Sequence, residues 1–582
     1  MIRKYGILVS LTVSLFCLSG CEGMMGDFLD KAPGVDVTED DIFSSATNVE
    51  TFLASIYKYG IHSNLGYGDG DVSGPYGTIM AGATDEAETC APWYSTNNWN
   101  SASITADRTD DGRFSYRWVA IRKVTTMLKR VDEVPDIDRE YAEQLKAESK
   151  VIRALNYFEM LKHYGGVPII DHYIELDEDF KIPRATVEQT VNFILKDIEE
   201  AMPALPDRQE GSMRGRVDKL TALAIRSRTL LYAASPQFNT ATPYMSLGEN
   251  DRLICYGSYD PSRWETAAAA AAECLELAAE VGCTLVTGQG VDKNYQYSWE
   301  HYDNAEIILA EKAHGTIGKW TWPWNAIPSP NIYPGNAGQS GVTPTLNFVR
   351  KYERRDGTPE VWAAEGGDDL QAKMAGLDRR FAQTVCGNLM SWNSEFPRVE
   401  IFEGGKQSKT CHGGFWLHKL YPSEISEAVW TYVPNSTLYQ LNEIYLNFAE
   451  AMNEAYGADD AHGYGMTARE AVNAIRRRSG QPDITGDSDR DAFRARIRNE
   501  RAVELAFDNH RLWDIRRWLI AEEEGVMQGD MWGIKVTAIR GSSEYHYEPY
   551  VFETRSWNRR MYLHPFSTNE VNKGYLIQNP GY

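Results

Sequence analysis

The sequence predicts a mainly α-helical protein, with tetratricopeptide-like helix pairs stacked into a superhelix and a loop-rich mixed insertion set among them. Three observations lead there. Apolar residues recur at helical spacing in both the N-terminal and the C-terminal parts of the chain. Two stretches, about 60–112 and 283–430, are instead rich in Gly, Pro, Trp and Asn and carry few sustained stripes. Small residues line the helical faces, as in the alanine run 267–272, and let helices approach closely in pairs. No strict repeat of about 34 residues runs through the chain, so the pairing is read from the faces and not from a period.

The elements follow in order. Arg3 and Lys4 precede an apolar run from Gly6 to Leu18, too short to span a bilayer, so residues 1–20 read as a secretory signal. Its ending, Leu18-Ser19-Gly20-Cys21, resembles the bacterial lipobox, in which the signal is cut before the Cys and the Cys is acylated. Residues 21–37 then form a tether from lipidated Cys21. Thr38-Glu39-Asp40-Asp41 reads as a helix start, a capping Thr with acids in the first turn. It opens a helical region over 38–282 that contains the loop insertion near 60–112. In LKAESKVIRALNYFEMLKHYGG, Val151, Leu155, Phe158 and Leu161 form one stripe, and Gly165, Gly166 and Pro168 end it. Further helices are expected over Val187–Ala201, through VDKLTALAIRSRTLLYAASPQF, and from Trp264 to Glu280. After the insertion 283–430, which is the candidate ligand face, helices return over 431–582. There LYQLNEIYLNFAEAMNEA places Leu438, Leu441, Tyr445, Phe448 and Met452 on one face, and AREAVNAIRRRSG and DAFRARIRNERAVELAFDNHRLWDIRRW follow.

Charge excludes some functions. The chain carries a net −23 over 582 residues, so it lacks the basic footprint that nucleic acid requires. Anionic headgroups would repel it too, which leaves a covalent lipid as its membrane contact. No metalloprotease, nucleophile-elbow, phosphate-loop or EF-hand motif is present. GYGDGDVSGPYG (66–77) has alternating glycines without a basic residue, and reads as a loop rather than a phosphate cradle. Asp69, Asp71, Asp85, Glu86 and Glu88 could include a calcium set or a glycosidase acid/base pair, but solvated surface acids are the expected account. No cofactor is expected, with calcium left open. Beyond the signal, Cys90, Cys255, Cys274, Cys283, Cys386 and Cys411 form no CxxC or Cys/His zinc spacing, so free buried thiols and disulfides both stand.

Several segments, in order, resemble the SusD/RagB family of Bacteroidetes outer-membrane lipoproteins. LKAESKVIRALNYFEMLKHYGGVPII is similar to its signature helix and exit, and GRVDKLTALAIRSRTLLYAA to the helix after it. LNEIYLNFAEAMNEA, VNAIRRRSGQP and ERAVELAFDNHRLWDIRRW are similar to its C-terminal signature. DFLDKAP after the lipobox and the closing LIQNPGY fit as well. Where the family commonly has Gly before HR, this chain has Asn509, the non-Gly residue best able to take a left-handed helix end. In that run Glu500, Arg501, Glu504, Arg511, Asp514, Arg516 and Arg517 can pair across the turn at Asp508-Asn509, with Phe507, Trp513 and Trp518 excluding water. The resemblance implies a SusD-like α-α superhelix of four tetratricopeptide-like helix pairs. It also implies a non-enzymatic lipoprotein on the outer membrane, facing the cell exterior. Such a protein captures a glycan, or in some members a peptide, and hands it to a SusC-like TonB-dependent transporter. A surface glycoside hydrolase is the alternative from a different class, and a lid without its own ligand affinity is a third.

Sugars offer flat C–H faces ringed by hydroxyls, so aromatic plates beside amide groups suit them. Two clusters in the loop-rich stretches have that chemistry: Trp93, Tyr94 and Trp99 with Asn97, Asn98 and Asn100, and Trp320, Trp322 and Trp324 with Asn325. In an extended loop the three alternate tryptophans share one face, and the prolines beside them stiffen it. The expectation is one platform built from both clusters. Pinning the insertion to the helices and contacting the transporter are the rival roles. Trp392 and Trp416, with His412, are weaker candidates for which a core role is expected.

Overall fold

The computed structural model describes residues 38–62, 79–90, 92, 94–301, 303–311, 342–394, 396–420 and 436–582. Ten helices carry the scaffold. They are α1 (Ala46–Gly60), α2 (Phe114–Arg130), α3 (Arg139–Tyr164), α4 (Val187–Ala201), α5 (Lys219–Ala234), α6 (Ser262–Glu280), α7 (Leu441–Tyr456), α8 (Ala468–Arg478), α9 (Arg490–Glu504) and α10 (Arg511–Arg517).

Local chemistry sets their ends. The Asp138 carboxylate accepts from the N–H groups of Glu140 and Tyr141 to start α3. Thr186 with Gln189, and Thr467 with Glu470, close reciprocal capping boxes at α4 and α8. Helix α3 stops at Gly165, whose φ of +78° suits glycine. A Cβ on the next residue, Gly166, would lie 2.0 Å from the Ala185 carbonyl oxygen, so the exit of α3 needs a bare backbone.

Each helix packs on its neighbours: α1 on α2 and α3, α3 on α4, α4 on α5, α5 on α6, α6 on α7, and α7 on α8 and α9. The result is the mainly helical superhelix that the stripes predict. Helix α6 fits between α5 and α7 because its buried face is Ala267, Ala268, Ala270 and Ala271. The stripe of α7 departs from expectation at one end. Leu438 belongs to a strand, and the helix begins at Leu441.

The described strands pair two by two, all antiparallel, and apart from the long hairpin formed by the last two they are short. They are β1 (Ala87–Thr89), β2 (Ile307–Glu311), β3 (Val342–Pro344), β4 (Val385–Cys386), β5 (Trp416–Leu417), β6 (Ser436–Gln440), β7 (Gly529–Ala538) and β8 (Tyr545–Arg555). The pairs are β1 with β3, β2 with β6, β4 with β5, and β7 with β8. The pairs β1–β3, β4–β5 and β7–β8, with residues 346–420, enclose a second apolar core, which includes Leu346, Phe381, Phe415, Trp416, Phe507, Ile534 and Tyr547, whereas β2 and β6 pack in the first. This mixed unit draws on four parts of the chain: 79–90, 342–420, residues 503–507 and the hairpin β7–β8. Trp392 and Trp416 are buried within it, their indole N–H groups donating to the carbonyls of Leu417 (3.3 Å) and Gln407 (2.9 Å).

Buried ion pairs join the two cores. Glu504 of α9 receives both Arg478 and Arg380, and Arg380 also pairs with Asp378 and with Glu500 at 2.6 Å. Arg476 bridges Glu500 and Glu353. The turn from α9 to α10 is tight, with both Phe507 and Asn509 at φ +62°. Of the charges expected to pair across it, Arg501 and Asp514 do, at 3.1 Å. Arg517 joins Asp514 and Glu450, and Arg511 reaches Asp85 at 2.8 Å. The six described cysteines are free thiols.

Candidate functional site

The candidate site grows from the β1–β3 ladder. Thr89, the last residue of β1, pairs with Val342, the first residue of β3. The chain leaves β1 through Cys90 toward Trp93 and Tyr94, and the segment bearing Trp320, Trp322, Trp324 and Asn325 re-enters the described structure at Val342. Paired strands lie about 5 Å apart. The exit of one aromatic segment is therefore adjacent to the return of the other. The far end of the second segment is fixed at Glu311, which pairs with Ser436 and whose Oε1 lies 3.0 Å from the His62 ring Nδ1.

Cys21, Trp93, Trp320, Trp322, Trp324, Asn325, Asp69 and Asp71 lie outside the described residues. Of the rest, Tyr94, Asn97 and Asn98 are half-buried. The Asn97 amide donates to the Tyr94 carbonyl at 3.0 Å. The Asn98 oxygen accepts from Arg108 at 3.1 Å.

Trp99 corrects the expectation. It is 1 % exposed and meets the His564 ring edge-on, 5.0 Å away. Asn100 is buried too, donating to the Gly82 carbonyl at 3.1 Å and to Glu88 at 3.0 Å. The reason is local. Residues Thr96–Asn100 form a turn of helix, which rotates successive side chains by about 100° and carries Trp99 inward. Trp99 pins the loop to the scaffold and is not a sugar plate.

The three described acids also depart from expectation. Asp85, Glu86 and Glu88 are not solvated; all are at least nine-tenths buried. Burial opposes ionisation of Asp85, but Arg511 and Lys351 outweigh it and hold its carboxyl at about 2. Burial pushes Glu86 up to about 8 against the Phe507 N–H that donates to it, so it is protonated at neutral pH. Glu88 is taken by Arg555 and Asn100. Carboxylates held this way cannot flank a substrate bond. Among the described residues no group of three or more His, Cys, Asp or Glu side chains is placed to hold a metal ion.

A set of rings adjoins this face, of which the sequence reading named only His412, as a weaker candidate. His412, Tyr550, Phe552 and Trp532 are half-buried. The Tyr550 hydroxyl donates to the His412 carbonyl at 2.7 Å, and the His412 and Phe552 rings stack with centroids 6.3 Å apart. The Cys90 thiol reaches the Thr410 carbonyl at 3.1 Å, which ties this patch to the exit of β1. Its signal is the alternation in YHYEPYVFE (545–553), which marks a strand with aromatic residues on both faces.

Two further cavities lie away from this face among the described residues. One of about 30 Å³ lies among Glu159, Lys162, Arg228, His510 and Trp513, room for water but not for a sugar ring. A groove of about 750 Å³ runs between the start of α3 and Pro203–Pro206 and is edged by Asp138, Glu140 and Glu143. No described helix is long and apolar enough to cross a membrane.

Comparison with known proteins gives two family matches. Residues 305–582 match a family described as the SusD family, and residues 27–231 match one described as starch-binding associating with outer membrane. The chain is similar to SusD-like protein P25 of Formosa agariphila, 21 % identical over 542 residues, covering 88 % of this chain and 89 % of that one. Among solved structures it resembles a SusD-like protein from Bacteroides fragilis, with a TM-score of 0.73 and 24 % identity, covering 95 % of this chain and all of the other. It also resembles a SusD-like carbohydrate binding protein from Bacteroides fragilis, with a TM-score of 0.67, 18 % identity, and 91 % and 98 % coverage.

Proposed function

We propose a function from one premise: the chain belongs to the SusD family. It is a glycan-binding lipoprotein, acylated at Cys21 and tethered through residues 21–37 to the outer membrane, with its body facing the exterior. It captures an oligosaccharide or polysaccharide and passes it to a SusC-like TonB-dependent transporter. It performs no chemistry on the glycan.

The observation that carries this reading is the pairing of Thr89 with Val342. It supports a single binding face to which Trp93 and Tyr94 come from one side, and Trp320, Trp322, Trp324 and Asn325 from the other. Aromatic faces stack on the C–H faces of pyranose rings, and amides and hydroxyls at the edge bond the sugar hydroxyls. A neutral glycan needs no net positive charge from the protein, which fits a chain of net charge −23. The binding, non-hydrolytic role is further supported by the burial and pairing of Asp85, Glu86 and Glu88.

The test is a panel of neutral and acidic glycans and of peptides, with bound ligand measured by calorimetry and released reducing ends assayed in parallel. The expected result is binding of one glycan class with no new reducing ends. Release of reducing ends would make the protein a hydrolase, and binding of peptides alone would make it a peptide carrier.

A further inference from the structure

Two large apolar side chains on one loop face solvent. Leu176 is fully exposed, at 106 % of its reference area, and Phe180 is 71 % exposed. Both stand on DHYIELDEDFKIP (171–183), the link from α3 to α4. The loop is held by defined contacts. The Glu178 N–H donates to the Glu175 carbonyl at 3.2 Å, closing a turn that carries Leu176. The His172 ring bridges the carboxylates of Asp171 (2.7 Å) and Glu178 (3.2 Å). Lys129 of α2 pairs with Glu175 and lies 4.2 Å over the Tyr173 ring, and Arg153 of α3 donates to the Asp171 carbonyl at 3.2 Å. A loop fixed at its base that still turns Leu and Phe outward presents them to something.

Charge and position indicate what that is. Asp177 follows Leu176 and Asp179 precedes Phe180, and neither acid forms an ion pair among the described residues. The complement is an apolar socket rimmed by Lys or Arg; an anionic headgroup layer would be repelled. The Tyr173 hydroxyl lies 3.5 Å from Glu39, in the short helix Glu39–Ile42 that follows the tether. The loop thus stands beside the point where the chain enters the described structure, directly after the tether proposed above.

We propose that this loop docks the chain onto a membrane-embedded protein, with Leu176 and Phe180 seated in apolar sockets edged by basic side chains. The proposal rests on the anchored, transporter-coupled reading above and assigns its contact surface.

The test uses the full acylated chain and a purified SusC-like barrel in lipid nanodiscs, with empty nanodiscs of the same lipids as the second arm. Leu176→Ser with Phe180→Ser is expected to weaken barrel binding by about ten-fold or more, and Asp177→Lys with Asp179→Lys to weaken it as well. Melting temperature and glycan binding stay at the wild-type values in both variants. Wild-type barrel affinity in the Leu176→Ser, Phe180→Ser variant would overturn the docking role while leaving the transporter reading intact. A loop-dependent difference on empty nanodiscs would make the lipid surface the occupant and overturn it as well. Failure of the wild-type chain to bind the barrel would overturn the transporter reading itself, and the docking loop with it.

Discussion

The helical core and the seam beside it differ in what chiefly holds them. Where α5, α6 and α7 meet, most contacts are buried Ala, Leu and Ile side chains without direction, with one buried ion pair, Arg228 of α5 on Glu443 of α7, among them. Where α9 and α10 meet the mixed unit, the contacts are Arg380, Arg476, Arg478 and Arg511 on Glu500, Glu504, Glu353 and Asp85. Apolar burial stabilises in proportion to area and tolerates small shifts. Paired guanidinium and carboxylate groups demand one geometry. The scaffold is thus stabilised chiefly by apolar area, and the seam fixes where β1 stands, through Arg511 on Asp85.

That contrast breaks most visibly at Glu504. Glu504→Ala leaves Arg478 and Arg380 buried without their shared acceptor, and should cost about 3–5 kcal/mol in chemical denaturation. It should also weaken glycan binding, because the seam positions the candidate face. A loss under about 1 kcal/mol would contradict a directional seam. Ile225→Ala, in the fully buried face of α5, should cost about 2–4 kcal/mol yet leave the affinity of the folded protein unchanged.

Acidity sharpens the same contrast, because Asp85 and Glu86 titrate in opposite senses. Asp85 ionises more easily folded, at about 2, than at its ordinary 3.8, so its contribution is full above 3.8 and is lost as pH falls toward 2. Glu86 holds its proton up to about 8 against an ordinary 4.5, so the folded state binds more protons between those values and stability falls as pH rises through them. Glu86→Gln should therefore flatten the fall in unfolding free energy between about pH 5 and 8, by on the order of a few kcal/mol at the upper end. A fall as steep as that of the wild type would contradict the burial of a neutral Glu86. The smallest effect belongs to the scaffold, where Thr186→Ala removes one side of the α4 capping box and should cost about 1 kcal/mol.

What could be read in advance follows how local the cause is. The bounds of α4 and the glycine exit of α3 were legible because a capping Thr, an apolar stripe and a glycine pair lie within a few residues of each other. The left-handed Asn509 was legible for the same reason. Leu438 was misplaced because its spacing fits the stripe of α7, while its true partner is the strand Ile307–Glu311, more than a hundred residues earlier. Asp85 looked like a solvated acid because Arg511, which neutralises it, lies 426 positions away. Trp99 looked like a loop plate because one turn of helix in TNNWN leaves no stripe to detect. The exposed pair Leu176 and Phe180 gave no signal at all, since exposure is a property of the fold and not of the residue.

The central claim is that the loop leaving β1 and the segment returning at β3 form one glycan-binding face. Calorimetric titration of the glycan class bound by the wild type, into Trp93→Ala and into the variant with Trp320, Trp322 and Trp324 all changed to Ala, tests it most directly. The account predicts that each variant keeps its melting temperature and loses affinity by about ten-fold or more, which corresponds to about 1.4 kcal/mol. Wild-type affinity in both variants would contradict it.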